Sequence, residues 1–107
     1  MSAIQAVTSE NFSEVVLQAE QPVLVDFGAE WCAPCRMMTP IVGAIAGDYA
    51  GQMRVVTLDV DTNPDIMTAY GVMGLPTLIL YREGEVVARI SGYRPKEMVL
   101  RALASYL

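Results

Sequence analysis

Hydrophobic positions along this chain follow two rhythms, unbroken runs of about five residues and repeats spaced by three and four. Val23-Leu24-Val25-Asp26-Phe27, the stretch from Arg54 to Val60, and Thr77-Leu78-Ile79-Leu80-Tyr81 are short, apolar and rich in β-branched residues, which predicts strands buried on both faces. Only Asp26 interrupts the first of them. Ile4-Gln5-Ala6-Val7 alternates weakly and predicts a short edge strand. Phe12, Val15, Val16 and Ala19 recur at helical spacing, with Thr8 or Ser9 as N-cap and Gln21-Pro22 as the stop. A longer stripe of Met38, Ile41, Val42, Ile45 and Tyr49 predicts a helix from Cys32 to about Tyr49. Pro34 falls in its first turn, where a missing N–H is harmless, Pro40 lies inside and should kink it, and Gly51 marks the exit.

Asn63-Pro64-Asp65 combines a cap, a first-turn proline and an acid favoured by the helix dipole, which predicts a short helix ended by Tyr70-Gly71. After the third apolar run, Arg82-Glu83-Gly84-Glu85 predicts a tight turn into Val86-Val87-Ala88-Arg89-Ile90, so these two strands are antiparallel. Gly92 breaks the chain, and Pro95 is the expected first-turn residue of a closing helix that turns Met98, Val99, Ala102, Leu103 and Tyr106 inward. Strands alternating with helices, then a hairpin and a helix, predict an α/β chain with a mixed sheet covered on both faces.

At 107 residues, 53% of them hydrophobic, the chain is long enough for one domain spanning 1–107 with a real core. Its 7 basic residues, all arginine except Lys96, stand against 12 acidic ones, a net charge of −5. That balance offers no electrostatic footprint for nucleic acid or an anionic membrane, and points to proteins or small molecules as partners. Met1 to Ser13 lacks the basic start and apolar run of a signal peptide, and no stretch approaches about 18 uninterrupted apolar residues. The expectation is a soluble cytoplasmic protein.

The chain's only two cysteines and only tryptophan fall together in Trp31-Cys32-Ala33-Pro34-Cys35. In a reducing compartment such a pair is catalytic more often than structural, and a bridge over two residues restrains the unfolded chain very little. On a helix, positions i and i+3 lie about 5–6 Å apart at Cβ, slightly wide for a relaxed disulfide, so the pair reads as a redox switch rather than a staple. No metal site is expected: zinc needs four ligands, and two cysteines without histidine supply half a site unless two chains share the ion. Haem attachment fails because Arg36 follows Cys35. Asp59-Val60-Asp61-Thr62-Asn63 opens like a calcium loop, but Pro64 and Tyr70 stand where glycine and glutamate are required.

Asp26 on a strand, Trp31-Cys32-Ala33-Pro34-Cys35 opening a helix, Leu75-Pro76-Thr77 entering a strand, and the late glycines Gly84 and Gly92 together resemble the thioredoxin family over essentially the whole chain. The resemblance implies the thioredoxin fold, with a central mixed five-stranded sheet and helices on both faces. It implies a thiol–disulfide oxidoreductase that reduces protein disulfides, needs no bound cofactor, is a monomer, and is itself re-reduced by a thioredoxin reductase. Cys32, at a helix N-terminus that favours thiolate, would be the nucleophile, with the lowered thiol pKa general for the family. Cys35 would be the resolving thiol. Asp26, its pKa raised by desolvation, would be the general base for Cys35. Trp31, Ala33, Pro34, Gly74, Leu75, Pro76, Gly92 and Tyr93 would form a shallow apolar docking surface, with Leu75 offering backbone groups to a substrate strand. By itself Leu75-Pro76 reads equally as a turn at a strand start; the resemblance implies a cis bond.

Three positions depart from the common family pattern. Thr57 stands where many members carry lysine near the aspartate, so Asp26 should stay protonated to higher pH. Ala33 replaces a glycine and should stiffen the turn. Gly28 replaces an aromatic residue and should loosen the packing behind Trp31. The seven methionines read as core filler, with Met73 beside the docking surface. A non-catalytic subunit using the same docking surface is the alternative function.

Overall fold

The computed structural model describes residues 4–107, so the first three positions of the stretch Met1 to Ser13 lie outside the described residues. Strands β1 (Gln5–Val7), β2 (Val23–Gly28), β3 (Arg54–Asp59), β4 (Thr77–Arg82) and β5 (Glu85–Ser91) form one sheet in the order β1-β3-β2-β4-β5. β1 and β2 run parallel to β3, whereas β4 runs antiparallel to both β2 and β5. Helices α1 (Ala33–Asp48), α2 (Pro64–Ala69) and α3 (Lys96–Leu103) complete the architecture, giving the five-stranded mixed sheet that the resemblance implies.

β2 is the central strand, and Val23 through Phe27 are all buried. Side chains alternate across a sheet, so β2 feeds two cores. Val23, Val25 and Phe27 join Phe12, Val16, Val56, Leu58, Ile79 and Tyr81 on one face. Leu24 joins Met38, Val42 and Ile45 of α1, and Val99 and Leu103 of α3, on the other. Asp26 and Gly28 follow Leu24 at period two and therefore belong to the α1 face. Tyr81 sits edge-on to both Phe12 and Tyr70, with ring centroids 5.6 and 5.2 Å apart.

Several local expectations are corrected. The helix after β1 starts later than a Thr8 or Ser9 cap would place it: Phe12 precedes a π-turn, Ser13–Leu17, closed by the Gln18 N–H on the Ser13 carbonyl at 2.9 Å. Thr8 and Ser9 are engaged elsewhere. The Thr8 N–H is held by Asn11 Oδ1 at 2.7 Å, and the Ser9 N–H donates to Asn63 Oδ1 at 2.8 Å. Asn63 precedes α2 as expected but does not cap it with its side chain, because that amide also donates from Nδ2 to the Asp59 carbonyl at 2.9 Å. Pro95 is the N-cap of α3, in extended conformation, rather than its first helical residue. On α3 only Val99 and Leu103 are buried, while Met98 and Ala102 face solvent. Apolar residues at the right period misled here because the helix covers the sheet with a narrow stripe.

The hairpin is as the sequence predicts. Arg82 pairs with Glu85, leaving Glu83 and Gly84 as a two-residue turn with φ of 54° and 81°. Positive φ at both positions matches the right-handed twist of the flanking strands.

Asn63 is 5% exposed and is the hub joining the β1–β2 connection to the start of α2. Asn63→Ala leaves the Ser9 N–H and the Asp59 carbonyl short of partners and should lower stability by about 1–3 kcal/mol in urea unfolding, with the redox pair unaffected.

Candidate functional site

The chain leaves β2 at Gly28, turns through Ala29-Glu30-Trp31, and enters α1 behind Cys32. Cys32 is the N-cap, with extended backbone (φ −92°, ψ 109°), and Pro34 lies in the first turn. Cys32 Sγ accepts the Cys35 N–H at 3.2 Å, so sulfur takes the place of a capping oxygen. Cys32 and Cys35 form a disulfide with Cα atoms 5.2 Å apart. The bond closes between a cap and the first turn, not along a regular helix. Both sulfurs are largely covered, Cys32 at 5% and Cys35 at 8% exposure. Helix α1 continues through Pro40 without a break.

The two cysteines open onto different concavities. A groove of about 690 Å³ carries Cys32 with Trp31, Ala33, Pro34, Gly74 and Leu75. Trp31 is 68% exposed and its Nε1 donates to Asp61 Oδ2 at 2.8 Å, which ties the indole to another residue of the groove lining. The Leu75–Pro76 bond is cis. Pro76 is buried behind the groove, and its carbonyl accepts the Gly92 N–H at 2.7 Å. Gly92 needs its φ of 83° to make that contact. Gly92 and Tyr93 do not line the groove itself, though Tyr93 is exposed.

Met67, Val60, Pro64 and Asp61 also line this groove and were not assigned to it by sequence, whereas Met73, expected beside the docking surface, lines it too. Met73 is 94% exposed, and Met37 and Met98 are exposed too, so core filler describes only part of the methionine set. The sequence signal for Met73 was its place between Val72 and Gly74, one residue before the docking loop. Asp61 was legible only as the end of a false calcium loop.

The second concavity, a cleft of about 570 Å³, carries Cys35. Its floor is Asp26 and Gly28 from β2 with Thr57 and Asp59 from β3, and its wall is Cys35, Arg36 and Thr39 from α1. The register explains the floor: Asp26 pairs with Thr57 on one side and Leu78 on the other. Neither cross-strand neighbour is a cation. Asp26 is 8% exposed and its Oδ1 has no hydrogen-bond partner. Desolvation by burial raises its pKa from 3.8 to about 6. Gly28 is also placed differently from the expectation that its small size loosens the packing behind Trp31: a Cβ there would lie 3.4 Å from Cys35 Sγ. Among the described residues no cluster of side chains suited to a metal ion is found.

A redox-active disulfide at the N-terminus of α1, reached from the end of a central β-strand, defines a thiol–disulfide oxidoreductase. The sequence profile of the thioredoxin family matches residues 3–105. Thioredoxin from Synechocystis sp. (strain ATCC 27184 / PCC 6803 / Kazusa) is 43% identical over 107 residues, covering all of both chains. Thioredoxin from Streptomyces clavuligerus is 48% identical over 98 residues, 92% of this chain and 91% of the relative. Thioredoxin from Alicyclobacillus acidocaldarius subsp. acidocaldarius is 43% identical over 105 residues, covering 98% and 99% of the two. The chain belongs to the thioredoxin family and is a protein-disulfide reductase.

The raised pKa of Asp26 has a signed consequence. Between about pH 3.8 and 6 the folded state binds the proton that the unfolded state has released, so stability falls as pH rises through that window. Asp26→Asn should therefore be more stable than the parent at pH 7 by about 3 kcal/mol and nearly equal at pH 3, measured by urea unfolding at both pH values. Thr57→Lys places a cation on the neighbouring strand and should lower the Asp26 pKa below about 6, read by carboxyl NMR titration.

Proposed function

We propose that Cys32 is the nucleophile, Cys35 the resolving thiol and Asp26 its general base in the reduction of protein disulfides. The observation that carries this reading is the capping geometry. Cys32 faces the unpaired N–H groups at the start of α1, already accepting one of them, and an anion is favoured there. Cys32 thiolate attacks a substrate sulfur and forms a mixed disulfide, and the substrate's other sulfur departs as thiolate. Cys35 gives its proton to the Asp26 carboxylate and attacks Cys32 Sγ. The product leaves reduced, and the Cys32–Cys35 disulfide remains. A carboxyl with a pKa of about 6 is mostly ionised near neutrality, ready to take that proton, and is a stronger base than an ordinary aspartate.

The groove beside Cys32 supports docking by an extended segment. Trp31, Ala33, Pro34, Gly74 and Leu75 supply apolar walls, and Leu75 offers its backbone for strand pairing. Pro76 and Gly92 act behind it, the Gly92 N–H fixing the Pro76 carbonyl, and the exposed Tyr93 follows Gly92 directly in the chain. We further infer that the chain folds as a single domain over 1–107, works as a cytoplasmic monomer passing electrons on to protein disulfides, and is recharged by thioredoxin reductase. Net charge −5 and the lack, among the described residues, of a helix long and apolar enough to cross a membrane support this setting.

Cys35→Ser should trap covalent adducts with disulfide-bonded protein substrates, whereas Cys32→Ser should not, as read by non-reducing electrophoresis. Equal trapping by both variants overturns the assignment of roles. Insulin disulfide reduction should be lost in Cys32→Ser; a chain that acts only as a docking subunit would bind its partner regardless of that substitution.

A further inference from the structure

The groove at Cys32 and the cleft at Cys35 share no lining residue. The redox pair thus stands as a partition between two concavities, one on each side. Gly28 is what keeps the second one open at the sulfur. A Cβ there would sit 3.4 Å from both Cys35 Cβ and Cys35 Sγ, in van der Waals contact, so a longer side chain would start out against that sulfur. The cleft also holds an unpartnered polar group, Asp26 Oδ1, on a residue more than nine-tenths buried. Three carboxylates line it, Asp26, Glu30 and Asp59, against a single guanidinium, Arg36, which is tied to the Glu30 carbonyl at 2.6 Å.

We propose that the Gly28 cleft is a second entrance to the redox pair, through which small cationic disulfides react at Cys35 without crossing the Trp31 groove. The proposal rests on the reading of Cys35 as the resolving thiol with Asp26 as its base, but not on Cys32 being the nucleophile towards proteins. In the dithiol form, Cys35 passes its proton to the Asp26 carboxylate and attacks one sulfur of R–S–S–R. A Cys35–S bond forms, the small disulfide breaks, and RS⁻ departs. Cys32 thiolate then attacks Cys35 Sγ, the second RS⁻ leaves, and the Cys32–Cys35 disulfide forms. Two electrons pass from the pair to the small disulfide, and the two protons of the dithiol end on the two released thiols, one by way of Asp26. A small molecule bearing an ammonium group fits both the size and the sign of the cleft.

The test uses Cys32→Ser, in which Cys35 is the only thiol. Its modification by 2-aminoethyl methanethiosulfonate (cationic) and 2-sulfonatoethyl methanethiosulfonate (anionic) is followed by intact mass. Each rate is divided by that of the same variant unfolded in urea, which removes intrinsic reagent reactivity. The normalised rate should favour the cationic reagent by roughly tenfold at low salt, and the preference should shrink as salt screens the carboxylates. Adding Gly28→Leu should slow the cationic reagent by about tenfold, because the side chain fills the space before Sγ. Glu30→Gln, an exposed change that keeps the fold, should reduce the charge preference. With Cys32 intact, the parent dithiol should reduce cystamine faster than its Gly28→Leu variant, by a larger factor than the same substitution changes insulin turnover. Equal normalised rates for the two reagents overturn the proposal, as does a cationic rate indifferent to Gly28→Leu. Cystamine and insulin reduction slowed by the same factor in Gly28→Leu overturn the separation of the two entrances. Failure of the protein-substrate roles would show instead in the trapping experiment with Cys35→Ser, which does not involve the cleft.

Discussion

Alternation along one doubly buried strand governs this site. Leu24, Asp26 and Gly28 follow one another on the α1 face of β2: an apolar anchor, an acid without a partner, and an empty place. Leu24 fastens the strand to the helix layer, which fixes where α1 begins. Asp26 comes next because the same face continues towards the helix start, and it is buried there by the packing that Leu24 secures. Burial without a hydrogen bond is what moves its proton affinity. Gly28 ends the row under Cys35. A one-residue slip of register would turn all three to the other core.

The helix start provides the second half of the arrangement. Cys32 is outside the helix and Cys35 within its first turn, so the two sulfurs meet across a boundary between loop and helix. A residue at that boundary has an unpaired amide pointing at it, and Cys32 uses it. Asp61 orients Trp31 from the loop after β3, and Gly92 secures Pro76 from the segment after β5. Four separate connections converge at one end of the sheet, which is how residues distant in sequence become one surface.

The sheet was legible in the sequence because a strand covered on both faces has to be apolar throughout, and the runs at 23–27, 54–60 and 77–81 have few other uses. The redox pair was legible because two cysteines with a proline between them at a helix start leave little choice. Asp26 could be read because a lone acid in an apolar run is conspicuous. What failed to show had physical reasons. Asn63 carries every mark of a helix cap, yet a longer-range partner, the Ser9 N–H, takes its side chain. Met98 and Ala102 keep helical period but exceed the width of the contact. The space beside Cys35 comes from an absent side chain at Gly28, and a sequence shows a glycine without showing what faces it.

The ends of the sheet have a bearing on the company such a protein keeps. A surface that engages extended stretches of other chains invites those chains to lengthen its own sheet wherever a border is left bare. One border, β1, is three residues long. The other, β5, carries Glu85 and Arg89, its pairing with β4 shifts register at Leu80/Tyr81, and the Arg89 guanidinium is anchored on the Tyr70 carbonyl at 2.6 Å. Short, charged and irregular margins give a visiting strand little to copy, so the sheet borders offer poor ground for edge-to-edge pairing.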